Sequence, residues 1–217
     1  MLIQHIGHSE FLITLESGFR IITDPYDAST GYPIHPHEAE GVLISHHHHD
    51  HDAVENLKGN PRIIDQAGHY TPEADVKITA VSGFHDDEGG SRRGTTLLFL
   101  IETEGLRIVH LGDLGCALDD GQLETLNQPD VLMIPVGGYF TIDAEQAKKL
   151  AEAIIEAKEK IGYCNTCFNL SDQNPCAICA AEERDHSVIC VVEQPQDVAA
   201  MERMRDYRGV YHVLHGA

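Results

Sequence analysis

Two stretches of this chain concentrate side chains that bind metal ions. The first is His46-His47-His48-His49-Asp50-His51, five imidazoles and a carboxylate in six residues, directly behind the apolar run Gly41-Val42-Leu43-Ile44-Ser45. Imidazole and carboxylate ligands suit zinc and other divalent transition metals. A polyhistidine tag would sit at a terminus and would not be broken by Asp50. A merely solvated loop does not account for ligand-type residues placed where a buried strand ends. Taken as His-x-His-x-Asp-His, the block offers His46 and His48 to one metal, and Asp50 and His51 to a second. The other stretch is Cys164-x-x-Cys167, eight residues, then Cys176-x-x-Cys179. That is the spacing of a structural zinc ion held by four cysteines. Cys116 and Cys190 stand alone and read as small core hydrophobes.

The elements around the histidine block follow from periodicity. Leu2 to His5, Glu10 to Glu16 and Phe19 to Thr23 alternate apolar and polar residues, as half-buried strands do. Asp24-Pro25 ends the third of these, and residues 27–40 read as a loop. Gly41 to Ser45 is a buried strand by its unbroken apolar character. Asp50 to Leu57 can begin a helix, with its acidic residues well placed at the N-terminus. Further strands are expected at Arg62–Asp65, Val76–Val81, Thr95–Thr103, Leu106–Leu111 and Val131–Val136. A short helix follows Asp119-Asp120-Gly121, and an Ala/Glu/Lys helix starts near Asp143 with Thr141 as its N-cap. Many short strands with helices between the later ones suggest two sheets faced by helices. Two of these strands end at chemistry-bearing residues, Gly83-Phe84-His85 and His110-Leu111-Gly112-Asp113. His85 could complete a three-histidine set with His46 and His48, and Asp113 could bridge to the metal held by Asp50 and His51.

Composition narrows the function. The chain has 217 residues, 42% of them hydrophobic, enough for a substantial core. No run of about 18 apolar residues is present, so no membrane span is expected. No secretory signal is visible at the N-terminus, and the expected location is cytoplasmic. The net charge of −20 is uneven: residues 1–157 carry −17 and residues 158–217 carry −3. So acidic a first part is a poor partner for a polyanion; the near-neutral remainder is not excluded from one. After the cysteine pairs, Val188 to Glu193 reads as a buried strand, Pro195 to Tyr207 as an amphipathic helix, and Val210 to Leu214 as a second strand parallel to the first. Glu193, at the strand's end, is either a metal or catalytic carboxylate or a solvated strand end.

The first part resembles the metallo-β-lactamase-fold Zn-dependent hydrolases, especially the small UlaG-like branch. The resemblance rests on Gly7-His8-Ser9, Thr23-Asp24-Pro25, Ser45-His46-x-His48-x-Asp50-His51, Gly83-Phe84-His85, Val109-His110-Leu111-Gly112-Asp113-Leu114-Gly115 and Ile134-Pro135-Val136-Gly137-Gly138, in that order. It covers roughly residues 1–150 and implies an α/β fold, an αββα sandwich with a dinuclear site at one edge of its sheets. In such a site two Lewis-acidic cations make hydroxide available near neutral pH and polarise a scissile carbonyl or phosphoryl oxygen. Asp50 would be the catalytic group that positions the hydroxide and relays a proton. Asp24 would accept a hydrogen bond from a ligand imidazole. His8 and His110 would be substrate-facing or outer-shell residues, or ordinary loop histidines. A Pro-x-His segment that completes the second metal site in that family has no counterpart after residue 150, so that site is expected to be one ligand short.

The second part is similar to the recombination mediator proteins of the RecR family. The match runs through Leu150–Ile155, Ile161–Cys164, Cys167–Asp172, Cys176–Cys179, Arg184-Asp185 and 188–216. It implies a four-cysteine zinc finger over residues 151–186 and the opening βαβ of a Toprim domain over 187–217, in a family that acts in DNA recombination and repair. The chain stops before a Toprim domain would be complete, and no helix-hairpin-helix precedes the finger. The two resemblances meet within Ala147–Lys160.

Three readings follow. The first is a metal-dependent hydrolase with one or two zinc ions, or another divalent metal, at the histidine block, acting on a small-molecule ester, lactone or phosphodiester. The second is a zinc-binding module whose partner is DNA or a recombination protein. The third is an inactive chimera that folds poorly.

Overall fold

The run Leu97-Leu98-Phe99-Leu100-Ile101 shows how the first part of the chain is layered. Successive side chains of a strand point to opposite faces. Phe99 and Ile101 pack with Ile13, Ile21, Leu43, Ile78 and Ile108 in one core. Leu98 and Leu100 pack with Val109, Leu111, Leu126 and Ile142 in another. A strand covered on both faces keeps no polar side, which is why this run lacks alternation.

The computed structural model describes residues 1–216, and for 156–160 it describes the backbone alone. The chain divides into two compact units, Met1–Ile155 and Glu156–Ala217. In the first, β1 (Leu2–Gly7), β2 (Glu10–Thr14), β3 (Arg20–Thr23), β4 (Gly41–Leu43) and β5 (Arg62–Ile64) form one five-stranded sheet in that order. Its first three strands are antiparallel, and β4 and β5 add in parallel. The second sheet holds β6 (Gly68–Glu73), β7 (Val76–Phe84), β8 (Thr95–Thr103) and β9 (Leu106–His110) as an antiparallel meander. Beyond α1 (Asp120–Thr125), β10 (Val131–Met133) joins the edge parallel to β9. The sheets share the core around Phe99 and Ile101. Leu126, Ile142 and Ala147, from α1's end and the start of α2 (Ala144–Lys160), cover the outer face of the second sheet.

Several expectations need correction. Asp50 to Leu57 does not form a helix; only Val54–Asn56 makes a single 3-10 turn. Ala53 donates its N–H to Pro25 O at 2.9 Å, outside any helical ladder, so the segment is tied to the loop after β3. Val54 and Leu57, in and beside that turn, cover the outer face of the first sheet over Leu12, Ile22 and Val42. Strand β6 is an addition to the expected elements; it contains Pro72 and is an edge strand, where proline is tolerated. Asp143, not Thr141, caps α2: its carboxylate accepts from Gln146 N at 2.8 Å and Gln146 Oε1 accepts from Asp143 N at 2.9 Å.

The second unit is built from β11 (Gly162–Tyr163), β12 (Leu170–Ser171), α3 (Ala177–Ala180), β13 (Asp185–Val192), α4 (Pro195–Met204) and β14 (Gly209–Val213). As expected, β13 and β14 are parallel. Gln194 and Asp197 form a capping box at the start of α4, with Pro195 in the first turn. Val198, Tyr211 and Val213 make a small core with Cys190, Val192 and Met201. The strand expected to be buried is mostly exposed, Ile189 at 59% and Val191 at 58%, because only β14 pairs with it and α4 covers one face.

Candidate metal centre

Strands β4, β7 and β9 end in the loops that hold His46, His85 and Asp113. Gly112 permits their convergence: it adopts φ +47°, and a side chain there would lie 2.5 Å from Thr96 Oγ1 and 2.7 Å from Ser45. At Gly115 a Cβ would meet the His85 and Asp86 backbone at 2.4 Å. These two glycines let the 111–115 loop lie against the histidine-bearing segments.

The histidine block splits by side-chain direction. His46, His48 and His85 each bring a ring nitrogen within 4.8 Å of the others, and ring nitrogens of His46 and His51 meet a carboxylate oxygen of Asp113 within the same distance. His47 points away, to Asp52 at 3.2 Å and Asp65 at 3.3 Å, and His49 faces Ser29 Oγ at 3.0 Å and Asp27. Asp113 Oδ2 lies 3.4 Å from His51 Nε2 and 3.5 Å from His85 Nε2, between the two groups.

Electrostatics prepare His46 and Asp113 to be ligands, whereas His51 would have to give up a proton to a cation to become one. Burial, reinforced by His51, brings His46 down to about 4, so its imidazole is neutral and keeps a free lone pair. Its Nδ1 is satisfied by Ser45 Oγ at 2.9 Å, while Nε2 is buried with no hydrogen-bond partner among the described residues. An unpaired buried nitrogen is costly, and a cation among His46, His48 and His85 would satisfy it. Burial opposes ionisation of Asp113, but His51 outweighs it and brings the carboxyl down to about 2. Burial likewise opposes charge on His51, yet Asp113 and Asp24 push it up to about 10. His46, His48, His51, His85 and Asp113 fit a divalent cation site.

Asp24 is completely buried behind the cluster. It accepts from Ser45 N at 2.6 Å and Ser45 Oγ at 2.7 Å, and its Oδ2 lies 3.2 Å from His51 Nδ1, off the line of a hydrogen bond. His110 is also buried. Its Nδ1 accepts from Gly112 N at 3.2 Å, so the neutral ring donates Nε2–H to Ser9 O at 3.3 Å. It therefore tethers the Gly7-His8-Ser9 turn and belongs to no metal-ligand cluster among the described residues. His8, in contrast, places Nε2 3.2 Å from His51 Nε2 and 3.3 Å from Asp50 Oδ2.

The cluster opens into a cleft of about 740 Å³. His8, His48, Asp50, His85 and Asp113 line its floor, and Ile134, Val136, Tyr139 and Phe140 give it an apolar wall. Arg93 stands over the Phe140 ring at 5.1 Å. Arg93 and its support have no chemical signature in the sequence itself. Asp86 accepts four backbone N–H bonds, from Glu88, Gly90, Arg92 and Arg93 at 2.8–3.0 Å, and so folds the loop that presents the guanidinium. The visible signal was the turn-forming Asp86-Asp87-Glu88-Gly89-Gly90.

In the second unit the sulfurs of Cys164, Cys167, Cys176 and Cys179 lie within 4.8 Å of one another. Burial, with the neighbouring thiols, pushes Cys179 up, while the amides of Cys176, Cys167 and Thr166 overcome burial and pull Cys164 down. Four thiols this close cannot all ionise without a cation, and a four-cysteine set fits zinc. Glu193 is exposed and belongs to no metal-ligand group among the described residues.

Comparison with known proteins divides the chain in the same way. The family profile described as a beta-lactamase superfamily domain matches residues 2–157. That of the RecR four-cysteine zinc finger domain matches 161–181, and that of the Toprim domain matches 187–217. Recombination protein RecR of Heliobacterium modesticaldum is 55% identical over 76 residues, 35% of this chain and 38% of that protein. RecR of Desulforudis audaxviator is 51% identical over 77 residues, 36% of this chain and 39% of that protein. The chain thus spans under two fifths of the length of these curated relatives. Among solved structures, a candidate Zn-dependent hydrolase of the metallo-β-lactamase superfamily from Thermotoga maritima is 30% identical, covers 97% of each chain and gives a TM-score of 0.58. A candidate metal-dependent hydrolase from Parabacteroides distasonis shares the fold at 20% identity and TM-score 0.55, over 69% of this chain and 76% of that one. Among the described residues, no helix is long and apolar enough to cross a membrane.

Proposed function

The chain belongs to the β-lactamase superfamily through residues 2–157, and from that premise we propose that its first unit is a zinc-dependent hydrolase of small-molecule esters, lactones or phosphodiesters. The observation that carries this reading is the unpartnered, buried Nε2 of His46 facing His48, His85 and Asp113. His46, His48 and His85 would hold one cation, and Asp50, His51 and Asp113 would serve a second. Zinc bound there would supply Lewis acidity, activating water and polarising the scissile oxygen. Asp50 is the partly exposed carboxylate on the cleft floor; it would orient the attacking water by accepting its hydrogen bond and would relay its proton. Asp24 keeps the His51 ring in place from behind. Tyr139, Phe140 and Val136 would take an apolar acyl or alkyl portion, with Arg93 at the same wall for an anionic group.

Metal analysis of the purified chain, combined with a screen of lactones, thioesters and phosphodiesters, tests this. The expected result is zinc beyond the one ion of the cysteine site and turnover of one ester class. Full metal loading of the cysteines with nothing at the histidine block would overturn it.

A second reading concerns the RecR-like part, and 55% identity to a recombination protein over 76 residues favours it. In this division of labour, residues 1–150 are the hydrolase, 151–186 the helix and zinc finger, and 187–217 the partial Toprim unit. The RecR-like part would engage DNA or a recombination partner. Salt-sensitive DNA binding that survives removal of the histidine block is the expected result, and no binding at low salt would count against it.

A further inference from the structure

A second metal beside Asp50 and His51 would need a further ligand, and among the described residues His8 stands next to both. We infer that His8, on the turn between the first two strands, is that ligand, so that the second metal position closes entirely within residues 8–113. The inference rests on the reading of the histidine block as a metal centre.

Three observations carry it. First, His8 Nε2, Asp50 and His51 bring their ligand atoms within 4.8 Å of one another. Nε2 of His8 faces Nε2 of His51 at 3.2 Å and Asp50 Oδ2 at 3.3 Å. Asp113 Oδ2, 3.4 Å from His51 Nε2, adds a shared carboxylate. His8, Asp50 and His51 form one group of ligand atoms and Asp113 belongs to the neighbouring group that shares His51, so two imidazole nitrogens and two carboxylates would suit zinc in kind and number. Second, the turn is built to aim this ring. The β1–β2 ladder slips register between His5 and Gly7, and a bulge re-aims a side chain at a strand end. His8 itself adopts φ +49°, a left-handed conformation uncommon for a residue with a side chain. Third, the turn is pinned on several sides. His5 Nε2 bonds to His8 O at 2.9 Å, and Ser9 O accepts from Thr23 Oγ1 at 3.0 Å and from buried His110 at 3.3 Å. A solvated loop histidine needs none of these restraints.

The test is metal stoichiometry of the full chain by mass spectrometry, with cobalt substitution as a second readout. The unaltered chain is expected to bind three ions, one at the cysteines and two at the histidine cluster. His8→Ala should lose one ion and keep the other cluster ion, and that retained ion shows that the variant has folded. His8→Cys should restore the third ion and add a thiolate-to-cobalt charge-transfer band. The outward-facing His47→Ala serves as a control and should keep all three. A His8→Ala variant that keeps three ions with unchanged affinity would overturn the inference. So would an unaltered chain that holds one cluster ion, which leaves the metal-centre reading standing. An empty cluster in the unaltered chain overturns both.

Discussion

Cys164 and Cys179 are 15 residues apart, whereas His46 and Asp113 are separated by 67 and His8 and Asp113 by 105. The cysteine cluster is gathered by two tight local turns. The histidine cluster is gathered by strands from both sheets, and its ligands meet only because Phe99, Ile101, Ile13 and Ile21 hold those sheets face to face. The second unit has no comparable core among the described residues; its apolar centre is Val198, Tyr211, Val213 and a few partly buried neighbours. The contrast teaches that cause runs in opposite directions in the two regions. In the first unit the fold makes the site; in the second the site makes much of the fold.

The sharpest way to break that comparison is to remove metal. Chelation, or Cys176→Ala, should unfold residues 161–181, because zinc binding contributes about 10–16 kcal/mol in small zinc domains. The first unit should keep its sheets under the same treatment. Amide exchange resolved by residue would distinguish the units, and equal loss of protection in both would refute the asymmetry. A smaller effect is expected from His46→Ala. It should lower hydrolytic kcat/KM by on the order of 10³-fold, the equivalent of several kcal/mol of lost charge stabilisation, with the thermal transition of the first unit retained.

Smaller again is Asp24→Asn, which keeps the shape behind His51 and removes the charge. Metal affinity at the histidine cluster should fall by about 10–100-fold, measured by competition with a chromophoric chelator, while the cysteine site is unaffected. Least of all is an acid effect in the second unit. Glu202 accepts from Arg184 and, at 2.7 Å, from Tyr211, and the Arg184 hydrogen bond holds its carboxyl below the ordinary value of 4.5. A depressed carboxyl stabilises the folded state above its unfolded value, and that contribution fades as pH falls through the folded one. Glu202→Gln should therefore be less stable above about pH 4.5 by no more than about 1 kcal/mol, with a shallower decline towards acid. Chemical denaturation at a series of pH values checks this, and parallel curves for both proteins would exclude it.

The strands of both sheets were legible because apolar patterning is local: Gly41 to Ser45 and Thr95 to Thr103 show burial in their own residues. The identity of the family was legible too, since His-x-His-x-Asp-His and the two Cys-x-x-Cys pairs carry their chemistry in their spacing. The helix expected after Asp50 does not form because one donor in its middle, Ala53 N–H, is committed to the distant Pro25 O, which breaks the ladder and leaves only short local turns. The exposure of Ile189 and Val191 was hidden for a related reason, since an apolar strand does not state how many neighbours will cover it.

By itself, then, the sequence determined that metal ligands of two kinds are present and which elements carry most of them. Only the tertiary structure decided their grouping: His47 and His49 turn outward, His110 serves as a tether, and His8 meets Asp50 and His51. The physical reason is that ligand type is a property of a side chain, whereas coordination requires side chains from separate strands to share one small volume. That proximity is set by sheet packing and by close approaches such as Gly112 against Thr96, which no local pattern encodes.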